Sequence, residues 1–233
     1  MSNLLTTDHV RHMINMQRVH NTEVAGSSWP TRSLQFSTAA VRDLGEALSI
    51  LEQRWAWWDK KKEPVGAMTK AWDKAVSAFH HSLSENMQEE LSKITDAINS
   101  WYELARKGAE SIGFDPQSKA PDAIVDAIAQ IASDAGTYKT YASYGVLCAV
   151  FGRKPEDIYK GYLGKNALNQ FRVAHGYNEG TYTKYWCDVE DTLIMYSIAD
   201  TLPANSDLFK NTYDELEKQY EDNRQVDHSL LSL

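Results

Sequence analysis

Gly164–Trp186 reads GKNALNQFRVAHGYNEGTYTKYW. Within it Lys165, Asn169 and Arg172 stand at i, i+4 and i+7, a spacing that on a helix puts all three on one face. A segment carrying Gly176 and Gly180 follows at once, and Tyr177, Tyr182 and Lys184 lie in or just beyond it. Glycines permit tight turns whose backbone N–H groups can face an anion. Cations, an amide and two phenols beside such a turn suit a phosphate ester, and Arg172 suits it best because a guanidinium can bind two oxygens at once. The competing reading is a solvated helix face followed by an ordinary surface loop.

Reading outward from this stretch, the chain looks helical. Leu44, Leu48, Leu51, Trp55 and Trp58 form one apolar stripe, and Trp72, Ala75, Val76, Phe79 and Leu83 a second. Further helical periods cover roughly 86–110, 121–134, 137–151, 156–173, 188–200 and 206–222. Breaks fall at Ser27–Pro30, Glu63–Gly66, Gly113–Pro116 and Gly152–Pro155. No run of alternating β-branched residues is bounded by turn signals; Ala142–Val150 is the most strand-like segment. The expectation is an all-α, single-domain helical bundle over residues 1–222, with a loose tail at 223–233 where the helical period fades.

Bulk properties remove several function classes. A net charge of −8 in 233 residues argues against a sequence-independent nucleic-acid binder, which needs a basic surface. A small anionic ligand remains compatible, because a local cationic site can sit in an acidic protein. Cys148 and Cys187 lack metal-ligand spacing and form no disulfide framework, so a reducing cytoplasm is the expected location. The start, MSNLLTTDHV, shows no basic region leading into an apolar run, and no stretch is apolar enough for a membrane span. There is no Walker loop, zinc motif or Rossmann fingerprint.

The order and spacing of several segments resemble the all-α dimeric dUTPases, related to phage dCTPase/dUTPase. The Gly164–Asp191 segment resembles the family's C-terminal motif in Gly-Lys-Asn, Leu-Asn-x-Phe-Arg, Gly-Tyr-x-x-Gly-x-Tyr-x-Lys and the pair Glu190–Asp191. Met16–Gln17 and His20–Asn21 resemble its early helix, Arg54–Trp58 its tryptophan-rich motif, and Phe79–Ser84 its His-Phe-x-x-Ser segment. Residues 86–150 match only as generic helices. The resemblance implies an all-α homodimer that binds a deoxypyrimidine nucleotide. It assigns the base to Gln17 and Asn21, at one end of a pocket lined by the phosphate candidates Lys165, Asn169, Arg172, Tyr177 and Lys184; Trp57 and His80 are further base candidates from their own positions.

The family's chemistry also calls for two acidic pairs, Glu-x-x-Glu and Glu-x-x-Asp, that hold Mg²⁺ against the triphosphate. Here they are not matched. An ungapped alignment on the tryptophan motif puts Gly45 and Leu48 at the first pair. A two-residue slide offers Asp43 and Glu46, but rotates a helix by about 200°. Alignment on His80 puts Lys74 and Ser77 at the second pair, with Asp73 the nearest carboxylate. Asp43 and Glu46 are weak metal candidates; the alternative is that both are solvated. Lys74 could replace part of a metal's charge beside phosphate, or simply face solvent.

The other signals each have a bland alternative. Asp73, Ser77, His80 and Ser84 share a helix flank that could transfer protons or read a base, or be a satisfied polar flank. Trp55 and Trp58 belong to the core stripe, whereas Trp57 points elsewhere and is the better ligand candidate. Lys60–Lys62 read as a solvated helix end, and the acidic face at Asp214–Asp222 has no metal spacing. Lys74, Asp73 and His80 are the catalytic candidates. The expected function is deoxyuridine-type nucleotide binding with Mg²⁺-dependent diphosphatase chemistry lost or altered, and hence no cofactor. The alternatives are an active dUTP diphosphatase using Mg²⁺ and giving dUMP and pyrophosphate, or an interaction protein that keeps the fold for partner contacts.

Overall fold

The computed structural model describes residues 4–52, Thr69, Trp72, 87–113 and 138–230, with side chains undescribed at Leu44, 46–52, 138–140 and 223–230. Seven α-helices lie in this set, and the described residues are all-α apart from one hairpin of two-residue strands. Five of the helices cover or overlap the periods at 86–110, 137–151, 156–173, 188–200 and 206–222, while most of the Leu44–Trp58 and Trp72–Leu83 stripes and the 121–134 period lie outside the described residues. The contacts divide it into two compact units, Met1–Ile158 and Tyr159–Leu233.

In the first unit, α1 (Thr7–Ala25) starts at Thr6, whose hydroxyl accepts from the His9 N–H while His9 reaches back to the Thr6 N–H. This is a capping box with histidine in the place usually taken by Glu or Gln. The buried face is Val10, Met13, Ile14, Gln17 and Asn21, at helical spacing with two amides among the aliphatics. Gly26 ends the helix at φ 72°, where a side chain would be strained. The chain then turns through a short 3₁₀ segment (Trp29–Arg32) into α2 (Ser33–Glu52), and the Trp29 indole N–H donates back to the Thr22 hydroxyl at 3.1 Å.

Helix α3 (Met87–Ser111) packs on α4 (Tyr138–Val150) and on α1. Leu91, Ile94, Thr95 and Ile98 form its buried stripe. Asn99 ties Leu5 to it with two hydrogen bonds, accepting from the Leu5 N–H at 3.1 Å and donating to its carbonyl at 2.9 Å. Helix α4 is buried at every position from Tyr141 to Val150, so it carries no amphipathic signature. That explains why its sequence is the most strand-like: a helix buried all round and a buried strand share an apolar run. Gly145 sets the α3–α4 distance, since a Cβ there would lie 2.1 Å from the Ile98 carbonyl oxygen. Trp72, fully buried, packs edge-on against Tyr141 and Tyr144 at 5.7 and 5.6 Å.

The second unit takes most of α5 (Pro155–Ala174), then β1 (Tyr185–Trp186), β2 (Val189–Glu190), α6 (Asp191–Thr201) and α7 (Leu208–Leu230). Tyr162, Leu163, Ala167, Leu168 and Phe171 bury one side of α5. Close helix packing is again set by a glycine, because a Cβ on Gly164 would meet the Met195 sulfur at 2.6 Å. The strands pair antiparallel, Tyr185 with Glu190 and Trp186 with Val189. Their turn, Cys187–Asp188, has positive φ at both residues, 45° and 65°, as the right-handed twist of a two-residue hairpin demands. Helix α7 runs on to Leu230, past Asn223, from which the sequence suggests a loose tail.

Candidate functional site

Helix α5 carries Lys165 and Arg172 seven residues apart, and α6 begins at Asp191. Asp191 is fully buried, at 0 % exposure, and its carboxylate is the centre on which Arg172, Tyr182 and Thr192 meet. Arg172 donates to both of its oxygens, through Nε at 2.8 Å and Nη2 at 2.7 Å. The Tyr182 hydroxyl donates to Oδ2 at 2.8 Å. The Asp191 backbone N–H is held by the Lys184 carbonyl at 2.8 Å, which fixes the start of α6 against the strand leading into the hairpin.

The neighbouring cations join this network through two shared partners. Arg172 Nη2 and Lys165 Nζ both donate to the Thr192 hydroxyl, at 3.1 and 3.4 Å. Arg172 and Lys184 both stand over the Tyr177 ring, at 6.0 and 5.2 Å from its centroid. Four of the five residues expected at the phosphate end are thus brought together: Lys165, Arg172, Tyr177 and Lys184. Asn169 is exposed and takes no part in this network.

The electrostatics follow from burial. Burial alone would lower the Arg172 pKa, but its hydrogen bonds to Asp191 and the Asp191 charge outweigh that and raise it. Tyr182 is pushed well above the ordinary tyrosine range, first by burial and then by its hydrogen bond to Asp191. Arg172 therefore stays charged and Tyr182 stays a donor at neutral pH. The half of the guanidinium that faces away from Asp191, Nη1, makes no hydrogen bond among the described residues, with the side chain 11 % exposed.

The glycine loop has a different job from the one its composition suggests. The Tyr177 N–H bonds the Arg172 carbonyl at 2.9 Å and the Gly176 N–H bonds the Val173 carbonyl at 3.3 Å, which is a Schellman end to α5. Gly176, at φ 87°, is the left-handed residue that this end requires. The Gly180, Thr181 and Tyr182 N–H groups also bond within the loop, to the carbonyls of Tyr177 or Gly176. These amides close the turn and are not available as an anion cradle. The loop's contribution is to bring Tyr177 and Tyr182 back beside Arg172.

An aromatic wall supports the network. Phe171 stacks on His175 at 4.0 Å and meets Trp186, Tyr213 and Tyr220 at 5.4–5.8 Å. His175 Nδ1 lies 2.9 Å from the Phe171 carbonyl oxygen and Nε2 3.3 Å from a Glu217 carboxylate oxygen, so the imidazole bridges the end of α5 to α7. Asp191, Thr192 and His175 are the residues that spacing misses; of these, only Asp191 has a signal, as half of the Glu190–Asp191 motif.

In the first unit Gln17 and Asn21 are both buried, and Gln17 Nε2 donates to Asn21 Oδ1 at 2.8 Å. Asp43, for which the sequence suggests solvent or a metal, is buried, and Arg42 pairs with it through Nε at 2.8 Å and Nη2 at 2.7 Å. Glu90 is a second buried carboxylate, with Lys93 donating to Oε1 at 3.2 Å and no hydrogen bond at Oε2. Among the described residues no three His, Cys, Asp or Glu side chains gather into a metal-binding group. Asp43 is already engaged by Arg42, and the other carboxylates of the expected metal set, Glu46 and Asp73, have side chains outside the described residues. Trp57, Asp73, Lys74, His80 and the Glu46 side chain lie outside the described residues. No described helix is long and apolar enough to cross a membrane.

Comparison with known proteins gives one family. The family described as dUTPase matches residues 9–177, from the first turn of α1 to the start of the site loop. No curated protein matches the chain.

Proposed function

Because the chain belongs to the all-α dUTPase family, we propose that it binds a deoxyuridine-type nucleotide and grips its phosphates with Lys165, Arg172, Tyr177 and Lys184. The observation that carries this reading is the convergence of three cations on shared partners, Thr192 and the Tyr177 ring, around one buried carboxylate. A solvated helix face would leave such side chains spread apart. Arg172 Nη1 offers two N–H donors toward an anionic oxygen, and Lys165 and Lys184 add charge beside it. In the 1–158 unit, Gln17 and Asn21 are assigned to the base, since an amide pair held in place supplies both a donor and an acceptor to a pyrimidine edge.

The reading takes Mg²⁺-dependent diphosphate hydrolysis to be lost or altered. Its support is the sequence, with Lys74 and Ser77 aligned at the second acidic pair, together with the engagement of Asp43 by Arg42. Family membership favours the second reading, an active dUTP diphosphatase. We also propose a homodimer, as the resemblance implies.

One experiment separates the readings. Purified protein is incubated with dUTP, with Mg²⁺ or with EDTA, and pyrophosphate release is followed while binding of dUMP and dUTP is measured by calorimetry. Binding that survives EDTA with no pyrophosphate release supports the first reading. Robust release abolished by EDTA establishes the second. The absence of any nucleotide binding removes both and leaves the interaction-protein alternative.

A further inference from the structure

We infer that Asp191 is the positioning residue of the phosphate grip: it occupies one edge of the Arg172 guanidinium permanently, presents only Nη1 to the ligand, and lowers the net charge of the site by one. This rests on the reading of the site as a phosphate grip. The geometry leaves little latitude. A guanidinium has two edges able to meet a carboxylate or phosphate side-on. In Arg172 the Nε–Nη2 edge is closed over Asp191 at 2.8 and 2.7 Å, and Nη2 also bonds Thr192 at 3.1 Å. Asp191 in turn is locked by Tyr182 at 2.8 Å and by its backbone bond to Lys184.

Two consequences follow for the ligand. The first is orientation: Arg172 cannot swing to follow a mobile phosphate, so the bound oxygen must lie toward Nη1. The second is charge. Arg172 and Asp191 cancel, so the net positive charge of the Arg172–Asp191–Lys165–Lys184 group is that of its two lysines. Without the Asp191 charge the group would gain more attraction for a metal-free triphosphate than for a phosphate monoester dianion, because the triphosphate carries roughly twice the charge. Asp191 therefore biases the site toward the nucleoside monophosphate, the product end of a diphosphatase reaction.

The test uses the full-length protein and the D191N variant. The asparagine side chain keeps the shape and one acceptor for Arg172 but removes the negative charge. Calorimetry in EDTA with dUMP and dUTP gives the ratio of their affinities. In D191N that ratio should shift toward dUTP by about a hundredfold, the scale of one added positive charge acting on the two extra negative charges of the triphosphate at about 10 Å through an effective dielectric near 20. A purely structural role for Asp191 would weaken both ligands alike and leave the ratio unchanged, which would overturn the charge-setting role.

A second measurement needs no ligand. The nitrogen-15 NMR signals of the Arg172 side chain should show separate, slowly exchanging Nη1 and Nη2 groups in the wild type, because the carboxylate stops their rotation. In D191N they should merge. Averaged signals in the wild type overturn the positioning, whatever binds. If the wild type binds neither nucleotide yet shows separate Nη signals, the nucleotide reading fails and the locking of Arg172 stands. If D191N does not fold, R172K replaces it: a lysine keeps the charge but cannot span both Asp191 oxygens, so loss of dUMP binding in a folded R172K supports the oriented Nη1 contact, and retained binding contradicts it.

Discussion

Replacing Arg172 by alanine should damage the fold as well as the ligand site. From the sequence, Arg172 is the best-suited phosphate ligand, and its loss would weaken nucleotide binding by about 1.5–3 kcal/mol, the value of a hydrogen bond to a charged group. The structure adds a larger effect. Asp191 is 0 % exposed and two of its contacts come from Arg172. Removing the guanidinium leaves a buried carboxylate held only by Tyr182, Thr192 and its own backbone. Breaking a buried ion pair in this way costs about 3–5 kcal/mol. For a chain of this size that lowers Tm by about 6–20 °C. The R172M/D191L double variant removes both charges and keeps apolar volume, so it should recover most of the loss. Urea unfolding followed by circular dichroism measures both variants. An R172A stability within about 1 kcal/mol of the wild type would refute the reasoning, as would a double variant no better than the single one.

Three further outcomes follow from particular contacts. Gly145→Ala should destabilise the α3–α4 pair by about 1–3 kcal/mol or more, because the new methyl meets the backbone of Ile98 and Tyr102, which cannot rotate aside; urea unfolding that matches the wild type would contradict this. His9 accepts from the Thr6 N–H at Nδ1 and burial lowers its pKa from the ordinary 6.5, against the pull of Glu156 and Asp8. Its contribution is therefore present above about pH 6.5 and is lost as the pH falls through the lowered value, by less than about 1 kcal/mol; hydrogen-exchange protection factors in the first turn of α1, corrected for the intrinsic rate at each pH, should fall in acid in the wild type and show less acid dependence in H9A. Tyr182, its pKa raised by burial and by Asp191, stabilises the fold fully below about pH 10 and loses that contribution as the pH rises toward its folded value. Stability measured through that alkaline range should fall less steeply in Y182F than in the wild type, and equal slopes would remove the assigned cause.

The fold is legible in the sequence wherever period and burial agree. Helix α3 shows its buried face in Leu91, Ile94 and Ile98, within the period read over 86–110, whereas α1, with two amides on its buried face, is reached only through the resemblance of Met16–Gln17 and His20–Asn21 to the family's early helix. Helix α4 is legible by length more than by period, since it is buried all round. The hairpin is not legible, because Cys187–Asp188 is not the Asn-Gly or Asp-Gly pair that announces such a turn. At the site, i, i+4 and i+7 spacing places Lys165 and Arg172 correctly but puts Asn169 with them, and Asn169 is exposed. Pairing between Arg172 and Asp191, 19 residues apart, depends on how the loop folds back, which spacing within one helix does not encode. The glycines announce turns, yet whether their amides face a ligand or close a helix end depends on backbone angles. Asp43 shows the same limit: it lies off the Leu44–Trp58 stripe, which suggests solvent or a metal, but it is buried against Arg42.

This dUTPase-family chain is proposed to hold a deoxyuridine nucleotide through its own cations, without metal-dependent cleavage. The decisive measurement is calorimetric titration of the full-length protein with dUMP in the presence of EDTA, with K165A and K184A as paired controls. Binding should be saturable in the wild type and weaker in each lysine variant while circular dichroism shows an unchanged fold. The contradicting result is an absence of binding in EDTA, or binding that the two lysine variants leave untouched.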